Sequence, residues 1–177
     1  IVGSSPNFRS ALAIAAKAAR ARVPVLINGK AGTGKEVFAR AIHGASPRAK
    51  GPLVLVDCSV VAPGLIASGL FGHERGAFPG AFDRQVGRLV QADGGTIIID
   101  QVECMPADTQ ARLVDFLATG EVQTIGGTIK HHVDVRVIAT ASSPLDRLIA
   151  DGHFREDLFY ALSAAQLTLP ALTDRRG

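Results

Sequence analysis

Short apolar runs recur along the chain at 23–27, 53–56, 96–99, 135–139 and 165–169, each the length of a strand and too short for a buried helix. Between them lie segments with apolar positions at helical spacing, at 35–43, 107–119 and 155–162. Such alternation predicts an α/β fold in which a parallel sheet is wrapped by helices on both faces. The run Thr96-Ile97-Ile98-Ile99 shows no polar alternation, as expected of a strand covered on both sides. Upstream, residues Pro6 to Ala21 are alanine-rich, with Leu12, Ile14, Ala15 and Ala18 apolar, and predict a helix ending before Pro24.

Two stretches break this alternation. Phe71 to Phe82 holds Gly72, Gly76, Pro79 and Gly80, too many breakers for a regular element, and carries two phenylalanines expected to be exposed, Phe78 and Phe82. Glu121 to Lys130 forms two short runs about Gly126-Gly127, the pattern of a hairpin. There is no internal repeat or low-complexity linker.

At 177 residues, 47% hydrophobic and 20% charged, the chain is long enough for one well-packed domain over 1–177 and short for two. It begins at Ile1, and its one methionine is Met105, so it reads as a segment of a longer protein. Net charge is +3, but lysines and arginines are scattered, which argues against direct nucleic-acid binding by this segment. Cys58 and Cys104 lack C-x-x-C spacing and the five histidines show no ligand pattern, so His131-His132 is expected to be an exposed pair and the setting reducing and cytoplasmic. No apolar run approaches the roughly 20 residues needed to cross a bilayer.

The chemistry concentrates in Gly29-Lys30-Ala31-Gly32-Thr33-Gly34-Lys35-Glu36-Val37, which follows one apolar run and opens a helical segment. A glycine-rich turn between strand and helix aims backbone N–H groups and a helix N-terminus at phosphates, with Lys35 over the β- and γ-phosphates. The expected ligand is a nucleoside triphosphate, held with Mg²⁺. The general pattern places Ser or Thr after the lysine; here Glu36 brings no hydroxyl to the metal. A second motif, Gly94 to Asp100, ends an apolar strand in a carboxylate suited to Mg²⁺. Beside it stands Gln101, which holds water but accepts no proton.

These stretches, together with Leu70-Phe71-Gly72-His73-Glu74-Arg75-Gly76-Ala77-Phe78-Pro79-Gly80-Ala81 and Phe154-Arg155-Glu156-Asp157-Leu158-Phe159-Tyr160, resemble the AAA+ central domains of bacterial sigma-54-dependent transcription activators. In that family Glu after the loop lysine is usual. The resemblance implies the large subdomain of a P-loop NTPase and a ring, usually a hexamer, with ATP or ADP and Mg²⁺ bound between subunits. It also implies a loop, Gly76 to Ala81, driven against sigma-54 RNA polymerase. A helical lid, a regulatory domain and a DNA-binding domain are implied outside the 177 residues.

Against the family pattern, Pro79 replaces a threonine, Gln101 the catalytic glutamate, Ser142 the asparagine that senses the γ-phosphate, Asp57 the asparagine linked to that glutamate, and Ala161 the second of two arginine fingers. Arg155 keeps the first. Groups that grip nucleotide are retained and groups that activate water are altered, so the favoured expectation is ATP binding with impaired hydrolysis and altered sigma-54 contact. Two alternatives stay open: a fully active ATPase, with Asp57 or Glu103 as the base, and a non-hydrolysing interaction scaffold.

Overall fold

The computed structural model describes residues 6–170. In chain order the elements are α1 (Pro6–Arg20), β1 (Val25–Asn28), α2 (Lys35–Gly44), β2 (Leu53–Asp57), α3 (Pro63–Phe71), β3 (Gly72–His73), β4 (Gln85–Val86), α4 (Arg88–Gln91) and β5 (Thr96–Asp100). A 3₁₀ turn (Val102–Cys104) leads to α5 (Ala107–Thr119), β6 (Glu121–Gln123), β7 (Lys130–His132), β8 (Arg136–Ala141), α6 (Leu145–Ala150), α7 (Glu156–Leu162) and β9 (Ala165–Thr168).

Five strands form one parallel sheet in the order β2-β5-β8-β1-β9. Successive side chains of a strand face opposite ways, and β5 obeys this: Ile97 and Ile99 join one apolar cluster with α3 and α5, whereas Ile98 joins another with α1 and α2. All three isoleucines are fully buried; such burial contributes roughly 1.5–3 kcal/mol per side chain. The carboxyl ends of β2, β5, β8 and β1 therefore emerge along one rim, from which ligand-binding loops of such sheets project.

The predicted strands and helices appear within one or two residues of their expected bounds. Helix α3 was not predicted. It starts on Pro63 and contains Gly64 and Gly69, yet Ile66, Leu70 and Phe71 are buried; tertiary burial overrides weak helix propensity here. Short α4 and α6 and the two-residue ribbon β3–β4 also went unpredicted. The hairpin is wider than expected: β6 pairs with β7 at Glu121↔His132 through Gln123↔Lys130, and Ile125 leaves the ladder to bridge His73 instead.

Arg136, at the start of β8, is buried. Its guanidinium donates to the carbonyls of Ala18, Ala19 and Val23, capping the C-terminal end of α1 with a cation.

Candidate nucleotide site

The loop from Gly29 to Lys35 is shaped by its glycines and held by its own side chains. Gly32 and Gly34 take φ of 80° and 87°, left-handed values that other residues adopt at a cost of about 1–2 kcal/mol. Gly29 N donates to Ala141 O at 3.2 Å, tying the loop to the end of β8. A Cβ on Gly29 would lie 2.7 Å from Thr33 Oγ1, whose hydroxyl donates to Lys30 O. Lys35 is buried, and Nζ donates to Gly29 O at 2.8 Å and Lys30 O at 2.9 Å. Burial lowers its pKa, opposed by the charges of Asp100 and Glu103. Lys30, Ala31 and Gly32 are exposed at the tip, and Val37 is exposed beside them. Glu36 turns to the surface of α2 and pairs with Arg40 at 3.0 Å.

The acidic side of the site is built by strand register. Asp57 ends β2 directly opposite Asp100 at the end of β5. Thr140, fully buried in β8, donates its hydroxyl to Asp100 Oδ1 and accepts from Gln101 N at 3.0 Å. Asp57 Oδ1 accepts from Ser59 N at 2.9 Å and Ser59 Oγ at 2.6 Å. Gln101 has φ 58° and ψ 54°, the one non-glycine with positive φ among the described residues. A left-handed backbone at a polar residue beside a carboxylate marks a turn fixed by its surroundings. Thr140 is a site residue that sequence reasoning missed; its signal was a lone hydroxyl following the apolar run Val137-Ile138-Ala139 of β8.

Beyond β8, Ser142 and Ser143 donate their backbone N–H groups to Glu103 Oε2 at 2.8 and 2.6 Å. Glu103, on the 3₁₀ turn, thus joins the turn after Asp100 to the loop after β8. Asn28, Gly29, Lys30, Ser142, Phe159 and Thr168 are among the residues lining a cleft of about 500 Å³ beside the loop. Arg155 stands apart at the N-terminus of α7. Its guanidinium forks onto Asp157 at 2.9 and 2.8 Å, and among the described residues it makes no ion pair with the 29–36 loop. Ala161, half-buried in α7, carries no charge.

The loop from Gly76 to Ala81 closes on itself: Gly76 N donates to Ala81 O at 2.8 Å and Ala81 N to Phe78 O at 3.0 Å. Phe78-Pro79-Gly80-Ala81 is a β-turn with Gly80 at φ 97°, the arrangement of a type II turn with proline in the second position. Pro79 therefore fits the loop without losing an N–H that the turn uses. The expectation of two exposed phenylalanines is half corrected. Phe82 is 79% exposed, whereas Phe78 is half-buried with its ring edge-on to His73, 4.9 Å between centroids. Ser68 Oγ lies 2.6 Å from His73 Nδ1, so the loop is anchored through His73 to α3.

The donors suit a nucleotide with Mg²⁺. Asp57 and Asp100 are hard oxygen donors at adjacent strand ends, and Mg²⁺ takes one or two protein carboxylates with phosphates and water completing its octahedron. Asp100 would hold the metal, which shields phosphate charge, and Lys35 would hold the phosphates. A parallel sheet, a glycine turn gripping its lysine and a strand-end aspartate together define a P-loop NTPase of the AAA+ class.

The family model described as Sigma-54 interaction domain matches residues 1–168. The chain belongs to this family. It is 44% identical over 176 residues to the DNA-binding transcriptional regulator NtrC of Salmonella typhimurium, covering 99% of this chain and 38% of that regulator. It is 42% identical over 177 residues to the Nif-specific regulatory protein of Sinorhizobium fredii, covering all of this chain and 30% of that protein. The crystal structure of NtrX from Brucella abortus in complex with ATP superposes with a TM-score of 0.91 at 37% identity, over 99% of this chain and 38% of that one. The chain thus spans under two-fifths of each of these relatives. Among the described residues, no helix is long and apolar enough to cross a membrane.

Proposed function

We propose that this chain is the ATP-binding AAA+ module of a sigma-54-dependent transcription regulator in which hydrolysis is slowed and the sigma-54 contact altered. The observation that carries the reading is the contrast between two neighbours: Asp100, fixed by Thr140 on the rim beside Lys35, and Gln101, held in a strained turn with a side chain that accepts no proton. Binding groups are in place and the usual base is absent. Loss of a general base slows turnover by about 10²–10⁴.

The ATP complex of NtrX supports nucleotide binding at this fold, and the family supports sigma-54 RNA polymerase as partner. A ring of subunits, with exposed Arg155 offered to a neighbour, is the assembly proposed; DNA is engaged by another domain. Pro79 removes the hydroxyl expected at the loop tip while keeping the turn closed, so contact with sigma-54 is changed by chemistry rather than by collapse of the loop.

The test is ATP binding alongside turnover in the full-length protein, natural and Gln101→Glu. Binding with slow turnover, raised about 10²-fold or more by the substitution, is expected. Fast turnover in the natural protein contradicts the slowed-hydrolysis reading, and absence of ATP binding contradicts the whole of it. For the partner, Pro79→Thr is expected to raise sigma-54-dependent transcription in a reconstituted assay; no change argues that the contact does not run through this turn.

A further inference from the structure

Gln110 lies on the buried face of α5 with Leu113 and Phe116, and is 1% exposed. A buried amide is costly unless its polar atoms are paired, and here they are. Nε2 donates to Met105 O at 2.9 Å and to His153 O at 3.3 Å, and Oε1 accepts the N–H of Arg155 at 2.8 Å. Both N–H groups and the oxygen of the amide are thereby in use. All three partners are main-chain atoms, and His153 and Arg155 lie 43 and 45 residues further along the chain. A leucine or methionine would fill this place on α5 without any polar atoms to satisfy, so the amide calls for a reason.

The partners differ in how firmly they are held. Met105 closes the 3₁₀ turn after Asp100 and Gln101, in which Cys104 N donates to Gln101 O and Met105 N to Val102 O. That turn is pinned to β8 and the loop after it through Thr140 and Glu103. Arg155 is the residue just before α7. Buried Leu158 and Leu162 pack the helix itself, whereas the main chain of Arg155 is tied to the core by Gln110. The other end of Arg155 is also held: its guanidinium forks onto Asp157 at 2.9 and 2.8 Å, and Asp157 Oδ1 accepts the N–H of Leu158 at 2.8 Å. An exposed arginine has many rotamers to lose; this one is fixed at its N–H and at its tip.

We infer that Gln110 is the positioning residue for Arg155: its amide references the start of α7 to the rigid turn at Met105, so that the arginine offered to a neighbouring subunit is set before the neighbour arrives. This rests on the ring reading above and names what places its finger. Gln110 touches neither nucleotide nor neighbour and acts only through Arg155. An arginine finger is worth about 10³–10⁵ in turnover, and a misplacement of about 1 Å costs about 10²-fold. Losing the anchor therefore forfeits much of what the charge supplies, even with the arginine itself present.

The experiment mixes two full-length variants and measures ATP turnover, with ATP affinity and Tm of each subunit alongside. Lys35→Ala subunits keep Arg155 but lack the phosphate grip; Arg155→Ala subunits keep the site but lack the finger. Gln110→Met, which removes all three hydrogen bonds at nearly constant shape, is then placed in one partner or the other. In the Lys35→Ala subunits it is expected to lower the restored turnover at least about tenfold. In the Arg155→Ala subunits it is expected to leave turnover and ATP affinity within about threefold, because their residue 155 supplies nothing. Gln110→Asn, one methylene shorter but still an amide, is run in the same two placements, so the comparison stands if Gln110→Met does not fold. Equal losses in both placements overturn the inference and give Gln110 a purely structural part; so does loss in neither, or loss only in the Arg155→Ala subunits. If the two parent variants restore no turnover on mixing, or the natural protein has none, the inference fails together with the finger reading, while ATP binding is judged separately by the affinity measurement.

Discussion

Lys35 places an ammonium where water is scarce, with carbonyl oxygens of its own loop for partners. Burial favours its neutral form, so its pKa lies below the ordinary 10.5 in spite of Asp100 and Glu103. Two opposite trends follow. Because the folded protein holds this proton less tightly than the unfolded chain, folding stability gains from Lys35 as pH rises through the window below 10.5. ATP affinity falls over the same window as the charge that meets the phosphates disappears. Titrating ATP from neutral pH to pH 10, with thermal unfolding in parallel, checks both signs; affinity flat across the range contradicts the role given to Lys35. Thr140 is the second residue with a measurable share. Thr140→Val keeps the shape but removes the donor to Asp100 and the acceptor for Gln101 N, and is expected to destabilise the fold by about 1–3 kcal/mol in chemical denaturation. The loop and Asp100 were legible in the sequence because glycine spacing and a strand-end acid are local signals. Thr140 and the left-handed Gln101 were not, because their parts arise from β5 lying beside β8, a pairing that no local pattern records.

Elements were legible where apolar period decided them and opaque where packing did. The sheet strands are nearly uniform apolar runs, whereas α3 carries two glycines and is helical because Ile66, Leu70 and Phe71 need burial. Gly94 and Gly95, before β5, separate two reasons for glycine. Gly94 has φ 83° with open space around a Cβ, while a Cβ on Gly95 would sit 2.0 Å from Pro52 O. Gly94→Ala is expected to cost about 1–2 kcal/mol and Gly95→Ala about 3 kcal/mol or more, because backbone must move; equal losses in denaturant melts contradict this division. His43, buried on α2 and hydrogen-bonded to Thr96 Oγ1 at 2.9 Å, has its pKa lowered from 6.5 by burial and then by the charge of Arg136. The unfolded chain binds this proton more readily, so stability falls as pH drops below about 6.5. His43→Gln is expected to flatten that slope in Tm measured against pH.

At the scale of the whole molecule, Arg155 is exposed at the start of α7, and its ion pair is with Asp157 rather than with the 29–36 loop of its own chain. In the ring proposed above, Arg155 would be the residue offered to a neighbouring subunit. Neither Lys35→Ala, which lacks the phosphate grip, nor Arg155→Ala, which lacks the finger, is expected to turn over ATP well alone. Mixing the two is expected to restore part of the activity by pairing an intact site with an intact finger, and a mixture no better than its components contradicts action between subunits. The loop at 76–81 and the hairpin form a second long-range unit. Glu74 N donates to Ile125 O and Ile125 N to Gly72 O at 2.9 Å each, and a Cβ on Gly126 would meet Ala77 Cβ at 2.8 Å. The sequence showed both as breaker-rich stretches 50 residues apart in the chain, with nothing local to reveal that they touch.

Strand β8 connects these scales. At its first residue Arg136 grips the carbonyls of Ala18 and Ala19 at the end of α1 and of Val23 just beyond it, and at its far end Thr140, with Ser142 just past the strand, meets Asp100, Gln101 and Glu103. Six residues of strand make a strut of roughly 20 Å, clamped on both flanks by β5 and β1. The carbonyl end of α1 and the acidic rim of the nucleotide site are thus held by the two ends of one strand, so a change at Arg136 bears on the setting of Asp100 as well as on the docking of α1.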